Sequence, residues 1–263
     1  MTRPPLTSDR AMTARADFAP LITDARNPGT ALDLDWVASV QANTSAIERR
    51  AATLPGRRSV KKDYQAAWLA RAISCIDLTT LAGDDTPGRV RRLCAKARQP
   101  ARAEILDAIG LPDLTVGAVC VYHDMIAPAV EALEGSGIPV AAVSTGFPAG
   151  LSPFHLRVRE IEESVKAGAA EIDIVISRRH VLTGDWQALY DEMKTFRAAC
   201  GEAHVKAILA TTYLALMKEE LGDPWLRPEL FRFGASSLLG DIERQLEHHL
   251  TGSYSAGWRH AMG

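Results

Sequence analysis

The sequence lacks several features that would assign it to a specialised class of protein. No stretch approaches the roughly 18 uncharged apolar residues of a membrane-spanning helix, and the first residues carry no apolar core of a secretory signal. Neither sign of charge is in excess, because 30 Lys and Arg face 32 Asp and Glu, for a net charge of -2. We therefore expect neither a nucleic acid nor a membrane as a partner.

Cysteine is also scarce, with four residues among 263. They are Cys75, Cys94, Cys120 and Cys200, and no two of them form a C-x-x-C pair. Cys75 and Cys120 lie within apolar runs, which predicts buried free thiols in a reducing compartment, where disulfides are rare. We therefore expect a cytoplasmic protein.

The chain divides into four segments by pattern. Residues 1–30 are rich in Thr, Ser, Pro, Asp and Arg and predict a flexible N-terminal arm. Residues 31–72 have helical spacing and predict N-terminal helices. Residues 73–252 alternate between short apolar runs and amphipathic stretches, and residues 253–263 are interpreted as a C-terminal tail.

The apolar runs within residues 73–252 predict parallel strands. They are Ile73–Asp77, Val116–Tyr122, Val140–Ser144, Glu171–Ile176, Val205–Ala210 and a last run that begins at Phe231. Helical patterns lie between them, one predicted to start with Ser152 as N-cap and Pro153 behind it. Such repetition indicates βαβ units, hence a barrel or a doubly wound sheet. No G-x-G-x-x-G follows the first strand and no P-loop motif occurs, which argues against nucleotide-binding versions of the fold.

Two of these strands carry charged residues on the face that points away from the helices, as the alternation of side chains along a strand predicts. Glu171 and Asp173 alternate with isoleucines, and Lys206 lies between apolar residues of the next strand. A buried acid is costly unless it is paired or functional, and a buried lysine can become a nucleophile or base. Lys206 is therefore either reactive or a structural partner of Asp173, and the two interpretations are compatible.

Polar residues also stand at the ends of the first and last strands. Asp77 and Thr79 close the first strand, where active sites of barrels lie, although both types also cap loops. Gly234, Ser236 and Ser237 lead from the last strand into a helix. Small residues there predict either a phosphate site at a helix N-terminus or an ordinary N-cap.

Together these segments resemble deoxyribose-phosphate aldolase of the longer, animal-like form. The motifs that match are Ile76–Leu81, Val119–Tyr122, Ser144–Gly150, Glu171–Ile176 and Phe231–Leu239, with Asp241–Gln245 behind them. Five motifs in the family's order, from about Leu32 onward, make the resemblance specific. It implies an α/β fold of the TIM (β/α)8 type and a lyase that reversibly cleaves 2-deoxy-D-ribose 5-phosphate into acetaldehyde and glyceraldehyde 3-phosphate. It implies a lysine Schiff base, and neither cofactor nor metal.

The resemblance also implies roles for individual residues. Asp173 matches the proton-relay acid and Lys206 matches the lysine beside the reacting amine. Residues that line the substrate pocket correspond to Asp77, Thr79 and Cys120. Part of the phosphate site corresponds to Gly234, Ser236 and Ser237.

The chain departs from the family after Thr211. The Lys-Thr-Ser-Thr-Gly-Lys segment that carries the Schiff-base lysine is missing, and residues 214–221 already resemble the helix before the eighth strand. At about thirty residues per βα unit, we expect an internal deletion of roughly sixty to seventy residues near 211–213. An incomplete barrel of about six strands follows, with impaired or absent catalysis. A non-catalytic form that binds or regulates full-length subunits is the alternative. The expected partners are a phosphorylated deoxy sugar and either further copies of this chain or a full-length aldolase.

Two smaller departures are expected near the rim of the pocket. His123-Asp124 stands where the family usually has a proline, and Ser177 stands where it usually has an asparagine. Both would alter contacts with the substrate.

Overall fold

The computed structural model describes residues 31–40, 43–57, 61–208 and 231–254. The predicted arm over residues 1–30, the predicted deletion point near 211–213 and nearly all of the predicted tail lie outside those residues. Within the described ranges, no helix combines the length and apolar character that a membrane crossing requires.

Six strands form one parallel sheet. They are β1 (Ile76–Thr79), β2 (Ala118–Val121), β3 (Val140–Ser144), β4 (Glu171–Ile174), β5 (His204–Ala207) and β6 (Phe233–Ala235). Their order in space is β5-β4-β3-β2-β1-β6, so the last strand in sequence pairs with the first. This is the order of a barrel, in which β6 occupies the place of an eighth strand, and no described strand joins β5 to β6. The prediction of an incomplete, six-stranded barrel is confirmed.

The described ranges contain ten α-helices. They are α1 (Leu34–Ser39), α2 (Thr44–Arg57), α3 (Lys62–Ser74), α4 (Pro87–Arg98), α5 (Ala103–Ala108), α6 (Ile126–Leu133), α7 (Phe154–Lys166), α8 (Arg178–Thr183), α9 (Trp186–Ala199) and α10 (Ser237–Thr251). Helix α10 packs against α3, α4 against α6, and α7 against α9. The contact between α3 and α10 joins the last of the N-terminal helices to the C-terminal helix.

The core lies between the outer face of the sheet and the helices. Fully buried strand residues such as Leu78, Val119 and Ile172 meet helix residues such as Ile161 and Phe196. Each large apolar side chain contributes about 1.5–3 kcal/mol by leaving water. All four cysteines are buried and free, as their apolar surroundings predict.

Helix α4 shows how local sequence sets these elements. Thr86 accepts a hydrogen bond from the backbone N–H of Arg89, which caps the helix, and Pro87 follows in the first turn. Val90 and Cys94, four residues apart, then present one buried stripe to the core. The sequence pattern predicts a helix from Pro87 to Ala97, within a residue of the observed end at Arg98.

Several predicted boundaries are wrong. Ile73 belongs to the last turn of α3 rather than to the first strand, so the predicted division at residue 72 cuts a helix. Ser152 makes no cap, because α7 begins at Phe154 with Pro153 in the cap position. Strand β4 ends at Ile174, since the backbone N–H of Val175 donates to a hydroxyl rather than to a neighbouring strand.

Candidate active site on the inner face of the sheet

Alternate side chains of the strands point into the curl of the sheet. In β4, Ile172 and Ile174 pack against helices, so Glu171 and Asp173 face the interior, as predicted. The register sets Asp173 opposite Lys206 of β5. The rest of the inner face is formed by small or medium side chains, namely Ala118, Cys120, Ala141 and Val143. The side chains around the charged groups are therefore small enough to leave space inside the curl of the sheet.

Lys206 is the centre of this inner face. Its amine donates a hydrogen bond to Asp77, and its Nζ lies 2.9 Å from Glu171 Oε2 and 2.9 Å from Asp173 Oδ1. Lys206 and Asp173 form an ion pair but not a hydrogen bond, because Asp173 Oδ1 accepts no hydrogen bond within the described residues. Strands β1, β4 and β5 thus meet at one amine. The predicted pairing of Lys206 with Asp173 is present, together with two further carboxylates.

Arg232 is the member of the cluster that sequence reasoning missed. It precedes β6, and its guanidinium places Nη1 2.6 Å from Asp77 Oδ1 and Nη2 3.1 Å from Glu171 Oε1. Gly117 makes room for it, because a Cβ there would lie 3.0 Å from the guanidinium carbon. A signal was present in the sequence, because Arg232 lies between Phe231 and Phe233 in a strand motif. Successive side chains of a strand point to opposite faces, so the arginine faces the side opposite to the two aromatic rings.

The charges of the cluster determine the protonation of its members. Burial alone would lower the pKa of Lys206, but Asp173, Asp77 and Glu171 outweigh it and raise that pKa above its ordinary value. Burial raises the pKa of Asp173, and Lys206 opposes that rise. Lys206 is therefore an ammonium ion at neutral pH, beside a carboxyl group that accepts a proton more readily than usual.

The other predicted pocket residues line the same interior. The Cys120 thiol donates to Asp173 Oδ2 at 3.5 Å, and burial, followed by the Asp173 charge, raises the pKa of Cys120 well above its usual range. Thr79 Oγ1 donates to the Asp77 carbonyl at 2.7 Å. Asp77 and Cys120 are buried and Thr79 is half-buried. The structure brings all three together, and their substrate contacts stay predictions.

The predicted phosphate-binding residues lie where β6 enters α10. Gly234 is opposite Asp77 in the sheet, and a Cβ at Gly234 would lie 3.4 Å from Thr79 Oγ1. Ser236 occupies the cap position of α10 without a side-chain capping bond, and Ser236 and Ser237 are exposed. The hydroxyl of Ser236 is thus not used as an ordinary cap.

His123 and Ser177, expected near the rim of the pocket, both contact residues of helices. His123 Nδ1 is 2.7 Å from Ser164 Oγ, between the end of β2 and α7. Ser177 Oγ donates to Glu192 at 2.6 Å on the helix side of the sheet. Neither departure from the family pattern contacts the inward cluster.

No grouping of His, Cys, Asp and Glu within the described ranges is arranged to hold a metal ion. The three carboxylates that meet inside the sheet are held by Lys206 and Arg232 instead. This arrangement suits proton transfer between an acid and an amine.

Comparison with known proteins identifies the class and then the family. A profile of the DeoC/LacD aldolases matches residues 71–224. The chain is 44% identical to mouse deoxyribose-phosphate aldolase, over 87% of this chain and 96% of the relative. The human deoxyribose-phosphate aldolase is 43% identical, over 88% of this chain and 97% of the relative. By class the chain is an aldolase, a lyase by descent, and it belongs to the DeoC/LacD aldolase family.

A solved structure shares the fold. A crystal structure from Toxoplasma gondii ME49, assigned to the deoxyribose-phosphate aldolases, superposes with a TM-score of 0.54 at 15% identity. The superposition covers 73% of this chain and 98% of that one. At this identity the likeness concerns the fold alone.

The length of the alignment with the mouse protein reveals a gap. It has 305 positions, whereas 87% of this chain's 263 residues is about 229 residues. The difference, 305 less 229, means that about 76 aligned positions have no residue of this chain. That number is close to the roughly sixty to seventy residues expected for two missing βα units.

Proposed function

We propose that this chain is a deoxyribose-phosphate aldolase that has kept the proton-relay half of its active site and lost the half that carries the Schiff-base lysine. We infer that the deletion lies between β5 and β6, near residues 211–213. Ala207 ends β5 and Phe233 begins β6, so 25 residues connect them. Two βα units and the connecting helix of a complete barrel need about sixty residues or more, which supports this position.

One observation carries the proposal, namely the ion pairs of Lys206. A lysine that forms a Schiff base must reach the substrate carbonyl as a neutral amine. The amine of Lys206 contacts Asp77, Glu171 and Asp173, and their charges raise its pKa. Lys206 therefore serves as a proton donor and as the partner of Asp173, and it does not replace the missing nucleophile.

The retained active-site residues would bind the sugar substrate without cleaving it. Asp77, Thr79 and Cys120 would line the place of the sugar, and Asp173 with Lys206 would exchange protons with it. At the entrance to α10, Gly234, Ser236 and Ser237 would present N–H groups to the phosphate of a phosphorylated deoxy sugar. We also infer a cytoplasmic location, in line with four buried free thiols.

Release of acetaldehyde from 2-deoxy-D-ribose 5-phosphate tests this proposal. This chain should release none above the background, while the mouse relative, assayed in parallel, supplies the positive control. A chimera that receives the mouse segment between Thr211 and Thr212 should gain activity if the missing segment is the cause. Activity in the unaltered chain would contradict the proposal, and an inactive but folded chimera would show that further residues are at fault.

A second candidate is a non-catalytic subunit that assembles with itself or with a full-length aldolase. The observation that favours it is the apolar surface of α1 and α2, where Leu34, Trp36, Val40 and Ile47 are all exposed. Trp36 has 66% of its surface in water, and exposed apolar side chains that form a patch mark interaction sites. Co-expression with the tagged mouse aldolase tests it, with Trp36→Ser and Val40→Ser as the variant that should abolish co-purification.

A further inference from the structure

A cleft of about 630 Å³ opens on the helix side of the sheet. Its walls are the loop between β3 and α7, the start of α8, and one face of α9. The inward residues Asp77, Asp173 and Lys206 take no part in it. The cleft is therefore separate from the candidate active site.

The floor of the cleft is rigid and electrically neutral. Arg157, with 3% of its side chain exposed, places Nη1 3.0 Å from Glu192 Oε2. Its other N–H groups donate to the carbonyls of Thr145 at 3.0 Å and Val175 at 2.8 Å, and to Ser177 Oγ at 2.8 Å. Arg157 and Glu192 thus neutralise each other and leave no spare donor for a ligand.

The rim, in contrast, carries cations that the described residues do not use. Arg178 and Arg179 are exposed, and neither guanidinium makes an ion pair or a hydrogen bond with another described side chain. The carboxylate of Asp191, in the opposite wall, accepts two hydrogen bonds from the Gln187 amide at 3.1 Å. Two arginines against one carboxylate leave the rim positive.

Apolar side chains stand beside these cations. Leu151 has 84% of its surface in water, and Phe154 has 46% exposed although its ring stacks on Phe196 at 5.6 Å. A volume of several hundred Å³, apolar walls and a few charged groups are typical of a small-molecule site. A ligand that covers Leu151 and Phe154 and carries a negative charge would satisfy both features.

We propose that this cleft binds a small organic anion with an apolar or aromatic body. Arg178 and Arg179 hold the anionic oxygens, since guanidinium groups pair with planar carboxylates and with phosphoryl groups. The body of the ligand lies against Leu151 and Phe154. Because the floor is neutral, the rim arginines alone select for negative charge.

Isothermal titration of the full chain with 2-naphthoate and with 2-naphthamide tests the site. The two probes share one ring system and differ in charge. We expect 2-naphthoate to bind the unaltered chain about tenfold more tightly than 2-naphthamide, which corresponds to about 1.4 kcal/mol. The apolar contact predicts that Leu151→Ser weakens both probes to the same extent.

Two double variants separate this site from a general effect of charge. Arg178→Gln with Arg179→Gln should remove the preference for 2-naphthoate, whereas Arg91→Gln with Arg92→Gln removes the same two charges from α4 and should leave the preference intact. Circular dichroism checks that both variants fold. Failure of 2-naphthoate to bind the unaltered chain, or a preference that survives the first double variant, would overturn the proposal.

Discussion

Strands β2, β3 and β4 and strands β5 and β6 belong to one sheet but have different surroundings. Every residue of β2, β3 and β4 is buried, whereas no residue of β5 or β6 is. The first three strands have a neighbour on both sides, while β5 and β6 end the sheet. The sheet is thus fully buried in these three strands, and its two end strands are more exposed.

The inward charge cluster lies across the border between these regions. Lys206 of β5 and Arg232 beside β6 come from the exposed side, while Glu171 and Asp173 come from the buried side. Ion pairs therefore join the end strands to the closed part of the sheet, in addition to backbone pairing and to partly buried residues such as Val205 and Phe233.

Removal of the Lys206 charge should have the largest effect on stability. Lys206→Met keeps the length of the side chain but leaves three carboxylates with one cation, and loss of one partner of a buried pair costs about 3–5 kcal/mol. The free energy of unfolding in urea measures it. Lys194→Met, on the exposed face of α9, is the control and should change stability by less than about 0.5 kcal/mol. A loss below about 1 kcal/mol for Lys206→Met would show that apolar contacts hold β5.

Truncation of two paired residues compares the regions directly. Ile172 of β4 and Val205 of β5 are opposite each other in the sheet, and Ile172 is fully buried whereas Val205 is half-buried. Ile172→Ala should cost about 2–5 kcal/mol, and Val205→Ala about 1 kcal/mol. Equal losses in urea unfolding would mean that β5 is packed as tightly as β4.

A fall in pH should change the contributions of Glu192 and Asp173 to the free energy of unfolding in opposite directions. Although burial raises the pKa of Glu192, hydrogen bonds from Ser177 and the charge of Arg157 lower it below 4.5. The stability that Glu192 contributes is therefore present above pH 4.5 and is lost as the pH falls through the lowered pKa. Glu192→Gln should cost about 1–3 kcal/mol at neutral pH, and this cost should shrink in acid.

Asp173 has a raised pKa, chiefly because of burial. Its folded form holds a proton that the unfolded form has released, so its contribution to stability falls as the pH rises from 3.8 towards the raised pKa. As the pH rises over this range, the Asp173→Asn variant should become more stable relative to the unaltered chain. Unfolding curves at several pH values measure both carboxylates, and parallel curves for the two variants would contradict these assignments.

Amide hydrogen exchange should show the smallest but most widespread difference. Strands at the end of a sheet leave one row of backbone groups outside the ladder and open locally at lower cost. We expect faster exchange in β5 and β6 than in β2 and β3, measured by mass spectrometry on peptides that separate these strands. Uniform protection across all six strands would contradict the comparison.

Periodicity was enough to predict the strands and their inward charges. Glu171, Asp173 and Lys206 alternate with apolar residues, and a period of two fixes the face on which each lies. Contacts between distant strands were beyond the sequence, since nothing local shows that Lys206 donates a hydrogen bond to Asp77, 129 residues away. Arg232 was missed for the same reason.

Boundaries failed where tertiary contacts override local preference. Ile73 resembles a strand residue but completes a turn of α3, because its side chain fills the core there. The deletion could be inferred only from the resemblance to a family, because the sequence of a protein built from βα units does not show how many units the complete fold has. The roles in proton transfer, substrate binding and phosphate binding stay predictions for all eight residues that the resemblance implies.

Reductive trapping tests most directly the claim that no amine of this chain forms a Schiff base. The folded chain is incubated with 2-deoxy-D-ribose 5-phosphate and borohydride, which would lock any imine as a stable adduct, and intact mass is measured beside the mouse relative. We predict an adduct on the mouse protein and none on this chain. An adduct on this chain that disappears in Lys206→Ala would contradict the claim and would make Lys206 the nucleophile.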